Sequence, residues 1–311
     1  MIFGNGNPAI AATYVFVELA TDLQDIDISQ ASSWRARVEA EGYANQSEAS
    51  HDCKVCGTAA PLFGVVDFNR TCGADPYPDG LTGLPVYWHR CRLCGLLFTP
   101  AFDQFSNAGW RDHIYNPHYY AELDPEYEVV RPTLNAEVVH AVCRAQWGRE
   151  TLGIDYGGGN GALAKRLSAT GLRFLTHDPY GASDDTSGLV GRFNVLTSFE
   201  VLEHTIDPHQ TFDDLLRFGA DRFIVIASTQ CADGLVDEKS RLNWNYVAPR
   251  NGHVTVYSHR TLAELARRHQ LDHLSVSRGL HLFGRGVTLE RLKWVAGWIK
   301  LKQRVRSTLG R

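Results

Sequence analysis

From Leu134 onward, Val138, Val139 and Val142 fall at helical spacing, and Trp147-Gly148 ends that pattern before the apolar run Thr151–Ile154. Strand and helix patterns then alternate. Strands are predicted over 151–155, 173–177, 193–199 and 222–228, and helices over 161–170, 207–218 and 259–269. A hairpin from 272 to 287 closes the series. Alternation of this kind predicts an α/β fold whose sheet is mostly parallel, with helices on both faces. Upstream the pattern is weaker. Residues 1–50 read as a poorly ordered extension with a helix near Ala31–Ala40. Residues 51–99 have Gly, Pro and short apolar runs (Leu62–Val66, Leu96–Phe98), as a small loop-rich module does. Residues 100–132 are an aromatic-rich connector (Phe102, Phe105, Trp110, Tyr115, Tyr119, Tyr120, Tyr127), expected to pack on the larger body rather than to serve as a lid.

Composition fits a soluble globular chain: 311 residues, 44% hydrophobic and 21% charged, enough for one large domain over 133–290 and a small accessory module. No apolar run reaches the ~18 residues of a membrane span, and no basic-then-apolar leader precedes the chain's first acids. A cytoplasmic protein is expected. The net charge of −4 is uneven, because residues 291–311 hold seven Lys and Arg and no acid, leaving −11 elsewhere. That tail, with Leu292, Val295, Trp298 and Ile299 among its bases, reads as a basic amphipathic helix. The plain expectation is a helix packed on the domain; contact with a membrane surface or with nucleic acid is the alternative. A nucleic-acid partner is not expected from the overall charge. Oligomeric state is not legible.

Asp155-Tyr-Gly157-Gly158-Gly159-Asn-Gly161 lies between a predicted strand and a predicted helix. Its glycines permit a tight turn and let a ligand approach bare backbone. Dinucleotide sites use a similar turn, but here the spacing is Asp-x-Gly-x-Gly-x-Gly rather than Gly-x-Gly-x-x-Gly. A second acid, Asp178, closes the next strand, where a carboxylate can accept both hydroxyls of a ribose.

Together with Phe193-Asn-Val-Leu-Thr-Ser-Phe-Glu-Val-Leu-Glu-His204 and Gly252-His-Val-Thr-Val-Tyr-Ser-His-Arg-Thr-Leu, these stretches resemble the class I S-adenosylmethionine-dependent methyltransferases of biosynthetic clusters, over roughly 130–285. The resemblance implies a Rossmann-like sheet. It implies that Asp155, Gly157, Gly159 and Gly161 hold the methionine part of S-adenosyl-L-methionine and Asp178 its ribose, and that Phe199, Glu200 and the residues to Leu202 line the reaction pocket. One departure is visible. Only 14 residues separate Asp178 from Phe193, too few for the usual helix and the strand that brings an adenine contact.

If Glu200-Val-Leu-Glu203-His204 is helical, Glu200, Glu203 and His204 share a face. Ubiquinone-pathway and small-RNA methyltransferases place a similar set, with a later His, around a divalent cation; here that His is His253. The preferred reading has the acids capping a helix and His204 packing locally. Glu200, His204 and His253, with Tyr257, are the candidates for the catalytic base.

Seven cysteines include two Cys-x-x-Cys pairs, Cys53/Cys56 and Cys91/Cys94, each followed by Gly. Two such turns can present four thiolates tetrahedrally to one structural Zn²⁺, in a zinc-ribbon-like module. The 34 residues between the pairs exceed the compact spacing, though a longer loop costs little closure entropy. Cys72, inside that loop, is a spare or an alternative ligand. Zinc-ribbon-like modules precede class I domains in sugar C-methyltransferases and in ribosomal-RNA methyltransferases. The function expected is methyl transfer to a small-molecule or sugar/polysaccharide acceptor. The alternatives are an RNA methyltransferase and a non-catalytic, zinc-containing donor-binding protein.

Overall fold

A computed structural model describes residues 28–44, 47–127, 129–179, 181, 183–294 and 297–298. Most of the extension and the distal basic tail lie outside these residues, and so do the expectations attached to them. Helix α1 (Ile28–Ala40) covers the helix expected near Ala31–Ala40. Four strands follow: β1 (Ser50–Asp52), β2 (Ala59–Asp67), β3 (Pro85–Arg90) and β4 (Leu97–Phe98). The large body runs α2 (Val130–Gln146), β5 (Leu152–Tyr156), α3 (Ala162–Ala169), β6 (Arg173–His177), β7 (Phe193–Phe199), α4 (Pro208–Leu216), β8 (Gly219–Ser228), β9 (Thr255–Val256), α5 (His259–Arg268), β10 (Asp272–Ser275) and β11 (Leu280–Arg285).

Six of these strands form one sheet in the order β10-β11-β8-β7-β5-β6. The contacts β6–β5–β7–β8 are parallel, while β11 and β10 add antiparallel strands at one side. Period-2 alternation sorts the side chains. Ile224 and Ile226 of β8 join Val139, Val142, Leu163 and Leu167 of α2 and α3 in one core. Phe223, Val225 and Ala227 face the other way, toward Phe212 and Leu215 of α4 and Leu262 and Leu265 of α5. Each of these Val, Leu, Ile and Phe side chains, fully withdrawn from water, contributes roughly 1.5–3 kcal/mol. Local sequence starts the helices. The Asp207 carboxylate accepts from the backbone of His209 and Gln210 with Pro208 in the first turn, and Ser258 and Thr261 form a reciprocal capping box on α5.

No strand lies between β6 and β7 among the described residues, as the short spacing there predicted. Asp184 does part of a neighbour's work. Its backbone N–H donates to the Thr176 carbonyl at 2.8 Å, and the Thr176 N–H donates to its Oδ2 at 2.8 Å, so a loop covers the sheet's edge.

The second sheet has the order β1-β2-β3-β4-β9. Its last strand comes from deep in the large body, Leu97 and Phe98 pairing with Val256 and Thr255. The connector packs, as expected. Phe102, Phe105 and Ile114 enter a core with Phe68, Trp88, Val247 and Val254. Two wide helical turns, Trp110–Ile114 and Tyr119–Leu123, then carry the chain across the large sheet's carboxyl edge.

Candidate active site

The carboxyl ends of β5, β6, β7 and β8 converge where open parallel sheets receive ligands. Gly157, Gly159 and Gly161 have φ of +72°, +56° and +76°, conformations that side chains disfavour. A Cβ on Gly157 would lie 2.5 Å from Val201 Cγ2, and one on Gly158 would lie 2.5 Å from Asp155 Oδ2. The backbone N–H of Gly159 donates to Asp178 Oδ2 at 2.7 Å, joining the turn to the end of β6. Asp155 is buried under the turn, and Thr197 donates to its Oδ1 at 2.6 Å. Burial raises its pKa to about 7, against the lowering effect of the Thr197 hydroxyl. An acid at each of two adjacent strand ends, with bare glycine backbone between them, fits the methionine and ribose parts of S-adenosylmethionine.

The connector also reaches this turn. A Cβ on Gly159 would fall 1.7 Å from the Tyr127 hydroxyl, and Tyr127 packs on Tyr120 with ring centroids 5.2 Å apart. Arg131, at the start of α2, pairs with Asp124 and lies 3.8 Å from Glu200 Oε2. The aromatic segment read as packing therefore packs, and it does so over the glycine turn.

Glu200 directly follows β7 at φ +54°, a left-handed conformation rare outside glycine. Ser228 secures it. The Glu200 N–H donates to Ser228 Oγ at 3.0 Å, and that hydroxyl donates to Glu200 Oε1 at 2.6 Å. Burial and the neighbouring Glu203 carboxyl push the Glu200 pKa up to about 7. Burial first, with only partial relief from the Tyr246 hydroxyl, raises Glu203 as well. Glu203 is fully buried. Tyr246 donates to its Oε1 at 2.5 Å, and its Oε2 has no donor among the described residues.

Leu202–His204 forms a short 3₁₀ turn rather than the start of an α-helix. The left-handed residue at Glu200 breaks the helical phase, so Glu200, Glu203 and His204 do not form one helical face. They meet instead through the fold, joined by His253. Glu203, His204 and His253 present ligand-type atoms within 4.8 Å of one another. His204 Nδ1 lies 3.1 Å from the Gly252 carbonyl, and His253 Nδ1 lies 2.9 Å from the Tyr246 carbonyl. A carbonyl only accepts, so both Nδ1 atoms carry the proton and both Nε2 atoms keep lone pairs. Burial keeps both imidazoles neutral, with pKa values lowered to about 4 and about 3.

One sequence candidate for the base is occupied elsewhere. Tyr257 is buried with its hydroxyl donated to the Leu202 carbonyl at 3.1 Å, which occupies it structurally. Phe199, the last residue of β7, is only partly buried and packs against the α2–α3 side core. Conversely, Tyr115, Arg131, Ser228 and Tyr246 were not singled out. Tyr115 shows why: its hydroxyl lies 2.9 Å from His204 Nδ1, a contact 89 residues apart in sequence.

The four paired cysteines come together at the other end of the second sheet. Cys53 Sγ is 3.5 Å from Cys94 Sγ, and Cys56 Sγ is 3.4 Å from Cys91 Sγ. Tetrahedral thiolates at a Zn–S distance of ~2.3 Å stand about 3.8 Å apart, so the cage needs only slight expansion. The two turns repeat one geometry, Gly57 and Gly95 at positive φ donating to the carbonyls of Cys53 and Cys91 at 2.9 Å. Cys72 is not with them. Its sulfur lies 3.7 Å from His253 Nδ1, beside the reaction pocket, so it is not an alternative ligand in this cage.

Among the described residues no helix is long and apolar enough to cross a membrane. No curated protein matches the chain. Its structural neighbours include a Thermotoga maritima protein described as an S-adenosylmethionine-dependent methyltransferase, possible histamine N-methyltransferase (13% identity, 53% of this chain and 95% of that one, TM-score 0.37). They also include the 1,6-didemethyltoxoflavin N1-methyltransferase of Burkholderia thailandensis (17%, 54% and 89%, TM-score 0.36). A third is the magnesium protoporphyrin IX methyltransferase of Synechocystis (15%, 50% and 84%, TM-score 0.35). Residues 134–276 match the family model described as a methyltransferase domain. That stretch contains the glycine turn, Asp178 and the Glu200–His204 segment, and it is similar to that methyltransferase-domain family.

Proposed function

We propose that the enzyme methylates a small polar acceptor, such as a sugar or another hydroxyl- or amine-bearing metabolite, in a pocket walled by Glu200, Glu203, His204 and His253. The observation carrying this reading is the Glu200 carboxylate, held at the end of β7 by Ser228 with a pKa raised to about 7. When bound, S-adenosylmethionine supplies the methyl group. Asp155, Gly157, Gly159, Gly161 and Asp178 would hold it, with Phe199 and Glu200 at its reacting end. Glu200 is then placed to take the proton that the acceptor loses, and burial tunes it toward the operating pH. Much of the rate comes from alignment of the two reactants.

The Glu200 carboxyl and the aromatic segment packed over the glycine turn favour a small neutral or cationic acceptor over RNA, whose phosphates would meet Glu200. Transfer from labelled donor to panels of small acceptors and of RNA tests the assignment. Labelling of RNA alone would overturn it, and a protein that binds no S-adenosylmethionine in calorimetry would overturn the enzyme reading altogether.

A second reading rests on Glu203, His204 and His253, whose ligand-type atoms lie within 4.8 Å of one another and form a donor set suited to a divalent cation. Activity abolished by a chelator and restored by Mg²⁺, Mn²⁺ or Zn²⁺ would favour it. The Cys₄ cage we assign to a structural Zn²⁺, since all four positions are filled by protein thiolates.

A further inference from the structure

Away from the reaction pocket and from the Cys₄ cage, Cys231, Asp233 and His259 bring a sulfur, a carboxylate oxygen and an imidazole nitrogen within 4.8 Å of one another. We propose that these three residues bind a second zinc-like divalent ion, with its remaining position open to solvent.

The ligands come from two separate segments, and each is held in place by other contacts. Cys231 and Asp233 lie on the turn after β8. The Cys231 N–H donates to the Arg278 carbonyl at 3.0 Å, and the Ala232 N–H to the Tyr257 carbonyl at 2.8 Å. The Arg278 guanidinium returns bonds to the carbonyls of Cys231 at 3.3 Å and Asp233 at 2.7 Å. His259 is the first residue of α5. Its N–H donates to Asp233 Oδ2 at 2.9 Å, and its Nδ1 lies 3.0 Å from the same oxygen.

Exposure grades the site from bottom to mouth. Cys231 is fully buried, whereas the side chains of Asp233 and His259 are 43% and 40% exposed. An ion can therefore enter from solvent and settle on the sulfur. Behind the sulfur lies a buried imidazole, His281. Its Nε2 donates to the Thr229 carbonyl at 3.0 Å, lies 3.7 Å from Cys231 Sγ, and turns its N–H side toward a developing thiolate. Its Nδ1, left with the lone pair, accepts from Ser275 Oγ at 2.9 Å. Such outer groups orient ligands and fix tautomers in metal centres.

The charges balance. On binding, the Cys231 thiol releases its proton to solvent, His259 turns a nitrogen lone pair to the ion and keeps its proton on the other nitrogen, and Asp233 binds as carboxylate. One thiolate and one carboxylate neutralise the dication. A mixed sulfur, nitrogen and oxygen set suits zinc's borderline softness, and three protein ligands leave one tetrahedral position for water.

The test uses the intact protein, stripped of metal and titrated with Co²⁺ alone, with bound cobalt counted by elemental analysis and the thiolate-to-cobalt absorption followed. Wild type is expected to bind one equivalent more than His259→Ala and Cys231→Ser. Cys91→Ser is expected to lose a different equivalent and to keep this one. Because Cys231 is buried and its variant can fail to fold, the exposed His259→Ala decides. Equal cobalt content in wild type and folded His259→Ala overturns the proposal, whatever the fate of the methyltransferase reading.

Discussion

The Gly159 N–H and Asp178 Oδ2, 2.7 Å apart, fasten the glycine turn to the neighbouring strand before any ligand arrives. Asp178→Ala removes both that fastening and the proposed ribose acceptor. Its affinity for S-adenosylmethionine is expected to fall ~10–100-fold in calorimetry, as for a charge-assisted hydrogen bond of about 1.5–3 kcal/mol. Gly159→Val should bind no donor, because a β-branched residue opposes φ +56° and its Cβ meets Tyr127. Unchanged affinity in both variants would remove the turn from the donor site.

Glu200→Gln keeps the shape of the strand end and an acceptor for Ser228, but takes no proton. The turnover number is expected to fall ~10²–10⁴-fold, the usual size of a general-base contribution, with donor affinity nearly unchanged. A loss of donor binding without a change in turnover would move Glu200 from catalysis to cofactor holding.

Asp155 has a folded-state pKa raised from 3.8 to about 7 by burial. Its neutral form is the one the folded protein favours. The stability it contributes is therefore complete below pH ~4 and is lost as pH rises through about 7. Asp155→Asn still accepts from Thr197 and carries no charge. Thermal melts between pH 5 and 8.5 should show wild type losing more stability toward the alkaline end than this variant. Parallel curves would mean that the carboxylate is solvated.

Tyr246→Phe leaves both oxygens of the buried Glu203 without a tyrosine hydroxyl. Destabilisation of about 1–3 kcal/mol is expected, the cost of a buried polar group losing its partner. Glu203→Gln in the same background should recover part of it, since a neutral amide is easier to bury. Failure of that rescue in chemical denaturation would show that the carboxyl charge is not what Tyr246 balances.

Cys91→Ser is expected to lose the metal of the Cys₄ cage, with the midpoint of thermal unfolding lowered by about 10 °C, given ~2–4 °C per kcal/mol for a chain of this size. Cys72→Ser, remote from the cage, should retain that metal. Zinc content unchanged in Cys91→Ser would refute the assignment.

The large sheet was legible because hydrophobic period and chemistry agreed along it. β6 and β7 occupy the segments that alternation predicted, and α4 and α5 begin within one residue of their predicted starts. The glycine turn and Asp178 were legible for the same reason, being local in sequence. The cluster around Glu200, the proposed acceptor pocket, was only half visible. Glu200 was found, but its left-handed backbone, which cancels the helical register to Glu203 and His204, depends on Ser228, 28 residues away. Tyr246 reaches Glu203 from a loop with no period of its own, and Tyr115 reaches His204 from the connector. Polar contacts between irregular segments leave no repeat for a sequence to display.

β9 consists of two residues, yet it sets how the chain can be divided. Thr255 and Val256 close the cysteine module's sheet, and a few residues later Ser258 and Thr261 donate to the Cys94 carbonyl at 2.6 and 2.9 Å. From α4, His209 donates to the Val55 carbonyl at 2.9 Å, and from α5, Arg268 donates to the Cys56 carbonyl at 3.0 Å. Removing the first hundred residues would bare a strand edge and strip two helices of acceptors they now share. Recombination or engineering that treats the cysteine module as an exchangeable cassette would thus cut through a joint hydrogen-bond network, and a transplanted module would need its host to supply a strand like β9.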